Sequence, residues 1–331
     1  MEYRKPVYNM LSDDYSVTVL HSGTPSLIEG DKYKEIITPA RAAWRFRFQP
    51  ESPLNSILND FDSVIAMFDL SWPSYLKPLF WRRRPKYILW GHRYSENNLA
   101  CMIRDQLMKR ADRILMYGDE EIDRMITRGI KPEKIAIAWN TLHVPNHNDY
   151  SGASKSSLLF VGRLQERKKI EQLIQVFANL KGRIGSEITL DIVGSGDMTA
   201  FLQKTAKDLK LANRIRFYGQ VDDPQILSDL YSRAFAYISP GPVGLGALHS
   251  FAYGVPVITL QELHHGPEFY NLKHFFNSII CKDFTDLQHC IQKVCNDKML
   301  TKKLGKNAYT HYTKERPITR MIEGFRTAIE Q

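Results

Sequence analysis

Short β-branched runs alternate with longer stretches of helical period, and the alternation occurs twice along the 331 residues. An apolar run closed by Gly, Pro, Asp or Asn reads as a strand buried on both faces, and the amphipathic stretch that follows reads as a crossover helix. Repetition of that unit dictates a parallel sheet covered by helices. In the first half the strands are predicted at 16–20, 63–68, 87–90, 113–117 and 134–138, with helices at 98–110 and 119–128. The second half repeats the rhythm with strands at 157–161, 189–193, 215–218, 234–238 and 255–259, and helices at 170–180, 198–209 and 224–232. The small polar segment 149–157 reads as a linker. The expectation is two doubly wound domains, residues 1–150 and 151–331, in keeping with about 150 residues per domain. Past Asp283 the chain turns helical, and the amphipathic run Ile318–Glu330 is expected to pack back on the first domain.

Composition narrows the function classes. Hydrophobic residues at 43% and charged residues at 24% exclude disordered, collagen-like and coiled-coil chains. Lys plus Arg outnumber Asp plus Glu by 45 to 36, a formal charge of +9 that favours an anionic partner. The four cysteines, Cys101, Cys281, Cys290 and Cys295, show neither CxxC nor zinc-finger spacing, so no metal site and a reducing compartment are expected. No apolar run approaches the ~18 residues that span a bilayer, and the first residues carry no apolar signal segment. The chain reads as cytoplasmic, or peripheral at the inner face of the membrane.

Ligands of doubly wound folds bind beyond the carboxyl ends of the strands, so motifs are sought there. The segment 160–169, FVGRLQERKK, is an apolar strand, a Gly exit at Gly162, Arg163, and then a cation cluster ending in Lys168 and Lys169. A guanidinium fork and a nearby ammonium suit a diphosphate that gains charge as it departs; a solvated basic loop has the same composition. The segment 190–197, LDIVGSGD, runs a strand into a Gly194-Ser195-Gly196 turn. The segment 239–258 reads as a glycine-rich loop through Val243, Gly244, Leu245 and Gly246 that opens a short helix ending at Gly254, and free amides at such a start suit an anion.

Gly-Arg-Leu with a following Lys, then Val-Gly-x-Gly, then Phe217-Tyr218-Gly219-Gln220-Val221, then a Gly-rich helix start ending Ala-x-Gly-x-Pro-Val-Ile: this order resembles the donor half of GT-B glycosyltransferases of family 4, from about Ser157 to Ile280. The resemblance implies a GT-B fold, two Rossmann-like domains facing a central cleft. It implies that Arg163 and Lys168 grip the donor diphosphate, with Lys169 where the family usually has Gly. The loop at Val221 would lie against the nucleotide base, and Gly244, Leu245 and Gly246 would face the phosphates beside Gly162 and Gly194. In the first half, Ile88-Leu89-Trp90-Gly91-His92-Arg93 is similar to the family strand end whose His lines the cleft, making His92 a candidate for orienting the sugar. Trp139-Asn140-Thr141-Leu142 is similar to the family turn before the linker.

Two departures stand beside the resemblance. The family carries two glutamates eight positions apart that hold sugar and ribose hydroxyls, and the corresponding residues here are Gly241 and His249. His249 retains hydrogen-bonding capacity, and Glu268, in Gly266-Pro267-Glu268-Phe269, resembles the Glu of a later Pro-Glu turn. The second departure is at the start, where Tyr3–Leu11 reads as the helix that should follow the family's opening strand and Gly-rich loop.

Leu79-Phe80-Trp81-Arg82-Arg83-Arg84-Pro85-Lys86 sets aromatics beside four cations, and Phe80–Lys86 is a candidate contact for an anionic membrane surface. Nucleic acid is not expected, since no zinc-finger, helix-turn-helix or RNP pattern occurs. His264-His265 is adjacent rather than spaced for a metal. The resemblance implies a hexosyltransferase-type enzyme. It would move a sugar from a UDP- or GDP-sugar, with retention and without a metal or other cofactor, to a glycan or lipid-linked acceptor in cell-surface polysaccharide or lipopolysaccharide synthesis. A sugar-nucleotide epimerase and a catalytically degenerate nucleotide-binding scaffold are the alternatives.

Overall fold

The computed structural model describes residues 2–49, 53–91, 97–261 and 265–331. The chain divides into two compact units, Met1–His143 with Ile318–Gln331, and Val144–Pro317.

The first unit opens with a 3₁₀ turn, Glu2–Arg4, and α1 (Lys5–Leu11), as the sequence led one to expect; Pro6 sits in its first turn, where a missing N–H costs nothing. Next come β1 (Thr18–His21), β2 (Lys34–Ile37), β3 (Arg41–Ala43), β4 (Phe46–Phe48), α2 (Leu54–Ile57), β5 (Ser63–Met67), α3 (Pro73–Leu76), β6 (Lys86–Trp90), α4 (Asn98–Arg110), β7 (Arg113–Met116), α5 (Ile122–Thr127) and β8 (Ile135–Ile137). Strands β5, β6, β7 and β8 form a parallel sheet in that order. Its centre is buried on both faces: Tyr87, Ile88 and Leu89 have no exposed surface. Outside it, β1 and β2 make a parallel ribbon, and β3 and β4 an antiparallel hairpin.

The second unit runs β9 (Ser157–Val161), α6 (Ile170–Asn179), β10 (Thr189–Val193), α7 (Thr199–Asp208), β11 (Ile215–Gly219), α8 (Pro224–Ser232), β12 (Ala234–Ser239), α9 (Gly246–Ala252), β13 (Val257–Leu260), β14 (Ser278–Cys281), α10 (Phe284–Asn296) and α11 (Lys298–Glu315). All six strands are parallel, in the order β11-β10-β9-β12-β13-β14. Numbered within the unit this is 3-2-1-4-5-6, the doubly wound order, whose direction reverses between β9 and β12. The last helix, α12 (Ile318–Glu330), returns to the first unit. Its stripe Met321, Ile322, Phe325 and Ala328 packs with Val7, Leu11, Ile88, Trp90 and Leu115. Gly324 lets it approach β8 so closely that a Cβ there would overlap the Ile137 carbonyl.

Every strand predicted from an apolar run is present, with ends shifted by at most two residues. Strands β2, β3, β4 and β14 were not predicted. The linker reading of 149–157 is corrected: the division falls at His143/Val144, and the polar segment packs within the second unit. Tyr150 stacks on Tyr253, its hydroxyl meets Ser228 at 3.0 Å, its N–H donates to the Tyr253 carbonyl, and Ser151 is buried. Small polar residues here serve close approach to Gly254 rather than flexibility.

Candidate functional site

The reversal between β9 and β12 leaves a crevice beyond their carboxyl ends, because the two following crossovers leave on opposite sides. The loops after β9, β10 and β12 converge there, and backbone hydrogen bonds lock the first two to each other and to the end of β11. Gly162 N–H donates to the Val193 carbonyl (2.9 Å), Leu164 N–H to Ser195 (2.9 Å) and Gly194 N–H to Gly219 (2.6 Å). Gly194 sits at φ +128°, and a Cβ there would overlap the Gly162 carbonyl oxygen. The glycines of the 190–197 segment are thus required by loop-on-loop contact.

Arg163 is exposed at the exit of β9. Lys168 ends a 3₁₀ turn, Glu166–Lys168, and its Nζ reaches across to the Pro242 carbonyl at 2.6 Å, joining the β9 loop to the β12 loop. Burial, with Arg167 adding to it and Glu268 opposing, lowers the Lys168 ammonium to about 8. Lys169 takes the left-handed conformation at φ 55° and hands the chain to α6, the position where a glycine would be unstrained.

The glycine-rich loop is held from below. Tyr237 on β12 donates from its hydroxyl to the Val161 carbonyl (3.2 Å), lies under Gly246, and is pushed up to about 12 by burial. His265 fixes the other side: its Nδ1 accepts from Val243 N–H (3.0 Å) and its Nε2 faces the Leu260 carbonyl (2.8 Å), which makes Nε2 the protonated nitrogen. It stacks on Phe269 at 4.1 Å. Sequence reasoning weighed this histidine only as half of an unpromising metal pair; its role depends on a fold contact with Val243, 22 residues away. Gly244 faces open space.

Gly241 is a closed position. A Cβ there would overlap the Arg167 carbonyl and lie 2.5 Å from the Lys168 Cα, so the β9 loop occupies the space a side chain would need. His249, on α9, packs at a tilt against Tyr231 (5.1 Å) and Tyr253 (5.7 Å), and burial drops its imidazole to about 4, keeping it neutral. The Tyr231 hydroxyl beneath it is buried and has no hydrogen-bond partner among the described residues. Glu268 lies in the 3₁₀ turn Pro267–Asn271, close enough to Lys168 to favour its charged form. Val221 is half-buried in the loop after β11. The structure therefore gathers Gly162, Arg163, Lys168, Gly194, Val243, Gly244, Leu245, Gly246 and Glu268 on loops beyond the sheet's carboxyl ends, with His249 one turn into α9. His92 and His264 lie outside the described residues.

In the first unit the family-like turn is anchored internally. Asn140 is buried, its N–H donates to the Tyr117 carbonyl (2.9 Å), and its Oδ1 accepts from Arg4 (2.7 Å), whose guanidinium also lies over Trp90. The basic run 80–86 is more engaged than its composition implies. Arg84 pairs with Asp112, and Lys86 donates to the Ile329 carbonyl, so the exposed cations are Arg82 and Arg83 beside Phe80. They border an open groove of about 560 Å³ lined by Trp81–Lys86 and Asp112. Among the described residues, one group has metal-ligand proximity: Cys281 at the end of β14 with Asp286 and Cys290 on α10, their ligand atoms within 4.8 Å of one another. Nine residues separate the two thiols in sequence, which hides a pairing made by a strand end and a helix.

Residues 151–311 match the family model described as Glycosyl transferases group 1. Among curated relatives, an uncharacterized glycosyltransferase, MJ1607 of Methanocaldococcus jannaschii, is 31% identical over 144 residues, 42% of this chain and 36% of that protein. The lipopolysaccharide core biosynthesis glycosyltransferase LpsE of Rhizobium meliloti is 27% identical over 154 residues, 46% of this chain and 43% of that protein. The chain thus spans less than half the length of either. Among solved structures, a glycosyltransferase of Rickettsia africae superposes with a TM-score of 0.71 at 15% identity, covering 96% of this chain and 99% of that one. HepE of Anabaena in complex with UDP-glucose gives 0.69 at 16% identity, covering 97% and 92%. At these identities the likeness establishes the fold, which is GT-B.

Proposed function

We propose that the chain is a glycosyltransferase whose second unit binds a nucleoside diphosphate sugar, UDP-linked by preference, beyond β9 and β12. The carrying observation is the convergence of Arg163, Lys168 and the open Gly244 turn at the reversal point of a 3-2-1-4-5-6 sheet. The family match over this unit and the UDP-glucose named with HepE support the donor class. Arg163 supplies an exposed guanidinium fork to the diphosphate and Lys168 a positioned ammonium, while the Gly244–Gly246 amides face the phosphates. Charge that develops on the leaving diphosphate is met by groups already in place. A leaving phosphate oxygen takes the acceptor proton, and the sugar is transferred with retention and without a metal. Val221 lies against the base, Gly162 and Gly194 border the phosphates, and Glu268 holds a sugar hydroxyl through its carboxylate.

His249, neutral and hydrogen-bond competent, replaces the usual ribose-binding glutamate. His92 orients the sugar, a role that rests on the sequence alone. The acceptor is a glycan or lipid-linked molecule at the inner face of a membrane; the name of LpsE supports a lipopolysaccharide-type product, and Phe80, Arg82 and Arg83 support contact with an anionic surface. A second reading, a nucleotide-binding scaffold, draws on the closed Gly241 position, which leaves no room for a carboxylate. Thermal unfolding with UDP, GDP, CDP, dTDP and ADP tests the proposal, since a ligand at 100 times its Kd adds ~2.7 kcal/mol. A rise with one nucleotide that Arg163→Ala removes is expected; no rise with any overturns the donor site. A rise without release of that nucleoside diphosphate from its sugar in the presence of acceptors selects the scaffold.

A further inference from the structure

The β3–β4 hairpin concentrates aromatic and cationic side chains. From Ile36 to Pro50 the sequence holds three arginines and no acid. Its register pairs Arg41 with Phe48, Ala42 with Arg47 and Ala43 with Phe46, so one face carries Arg41, Ala43, Phe46 and Phe48 and the other Ala42 and Arg47. At the tip, Trp44 is 88% exposed and held at φ 54°, with the Arg45 guanidinium 5.1 Å from its ring centre. Trp44, Phe46 and Phe48 follow one another at 6.2 and 6.4 Å, an aromatic ridge along the hairpin.

The opposite face attaches to the body. Arg47 N–H donates to the Ser71 carbonyl (2.8 Å), and its guanidinium lies over Trp72, which stacks on Tyr75. From there α3 leads directly into Lys77–Phe80, where Phe80 is 60% exposed under the Arg110 guanidinium, and on to the exposed Arg82 and Arg83. The hairpin is thus joined through α3 to the segment that carries the basic run.

A non-glycine residue at positive φ that also leaves an indole in water is doubly unfavourable for an isolated protein, and such features persist where a partner uses them. The tip chemistry selects the partner. Around Trp44 the exposed neighbours are Ala42 and Ala43, which carry methyls, and Arg45, whose guanidinium lies against the indole. An indole and methyls with guanidiniums beside them match the boundary of an anionic bilayer, where indole rings settle and cations reach lipid phosphates.

We propose that the β3–β4 hairpin is an interfacial anchor that sets Trp44 into the headgroup boundary of an anionic bilayer, with Arg41 and Arg45 on lipid phosphates, and with Phe80, Arg82 and Arg83 on the segment that follows α3. This deepens the membrane-contact part of the proposed function and stands apart from the donor site. The experiment is flotation of the full chain with phosphatidylcholine vesicles and with vesicles holding 30% phosphatidylglycerol, at low and high salt, the composition being about that of an anionic leaflet. Binding to the anionic vesicles alone, lost at high salt, is expected. Trp44→Gly, which suits the positive φ, should weaken it at least about tenfold. The double change Arg41→Ser, Arg45→Ser should weaken it about twenty-five-fold, near fivefold per arginine. Equal binding to neutral vesicles, no effect of either variant, or retention on heparin without vesicle binding overturns the anchor. The nucleotide-induced rise in melting temperature, measured on the same variants, should be unchanged; its absence in the unsubstituted chain would count against the donor site and leave the anchor standing.

Discussion

The two units solve different problems with the same βα repeat. In the second, six parallel strands bring three loops so close that their contacts are backbone against backbone: Gly194 under the Gly162 carbonyl, Gly241 under Arg167 and Lys168. In the first, four parallel strands carry a small core, and the rest of the chain is spent on ribbons, a hairpin and exposed aromatic and basic groups. A ligand site made of backbone tolerates little, because every atom added meets a peptide. A surface made of side chains tolerates much.

Gly241→Glu is the sharpest break of that contrast. It puts a carboxylate at the position that the sequence resemblance aligns with a family 4 glutamate, and the Arg167–Lys168 backbone already fills the space. Overpacking against main chain should cost more than about 3 kcal/mol and lower the melting temperature by several degrees, with no gain in turnover. Gly244→Ala, three residues on and facing open space, should stay within about 0.5 kcal/mol. Near-equal melting temperatures for the two would show that the β9 loop yields easily, and that the site is less rigid than its contacts imply.

How much was legible follows the same division. Strands β9, β10 and β12 are mostly apolar and end at Gly162, Gly194 and Ser239-Pro240, so sequence alone located them, and with them the loops at Arg163 and Gly244. The hairpin carried a signal that went unused: Trp44, Phe46 and Phe48 alternate with Arg45 and Arg47 at period two, the pattern of a strand with one apolar face. Strand β2 offers less, since its two half-buried residues are flanked by exposed Lys34 and Ile37. No sequence pattern reveals that Gly241 is closed, that His265 props Val243, or that Cys281 meets Cys290. Each depends on segments brought together only by the order of the strands. The segment 149–157 misled for a related reason, because small polar residues also mark tight packing.

Acid separates the units further. His249 and His311, both in the second unit, are lowered to about 4 by burial, with Arg316 and Lys273 adding to the effect at His311. Unfolded, each would titrate near 6.5, so the unfolded state binds more protons between about 6.5 and 4, and the second unit loses stability as pH falls through that window. In the first unit Glu35 is held down at about 2, first by the Ser26 hydroxyl and further by the Ser26 amide and His21 against the cost of burial. Its contribution is full above about 4.5 and fades only as pH falls towards 2. At pH 4.5, hydrogen exchange read by mass spectrometry should therefore show the second unit opening first, by on the order of 2 kcal/mol for each histidine relative to pH 7. Uniform loosening of both units would remove the histidines as the cause.

The smallest effect bears on function most directly. Lys168 keeps its charge only below about 8, since burial in the β9–β12 contact opposes the ammonium. A bound diphosphate favours that charge, so binding takes up a proton once pH exceeds about 8. The affinity for the preferred nucleoside diphosphate should then fall by up to about tenfold per pH unit, equivalent to ~1.4 kcal/mol. The fall then belongs to the buried Lys168 ammonium. Lys168→Arg should flatten the profile, while Lys168→Met should weaken binding at pH 7 and also leave it flat. Isothermal titration in two buffers of different ionisation enthalpy counts the proton directly. Uptake of about one proton at pH 9 in the unsubstituted chain and none in Lys168→Met places the ammonium on the phosphate. Equal uptake in both would assign the proton elsewhere and reduce Lys168 to a strut between two loops.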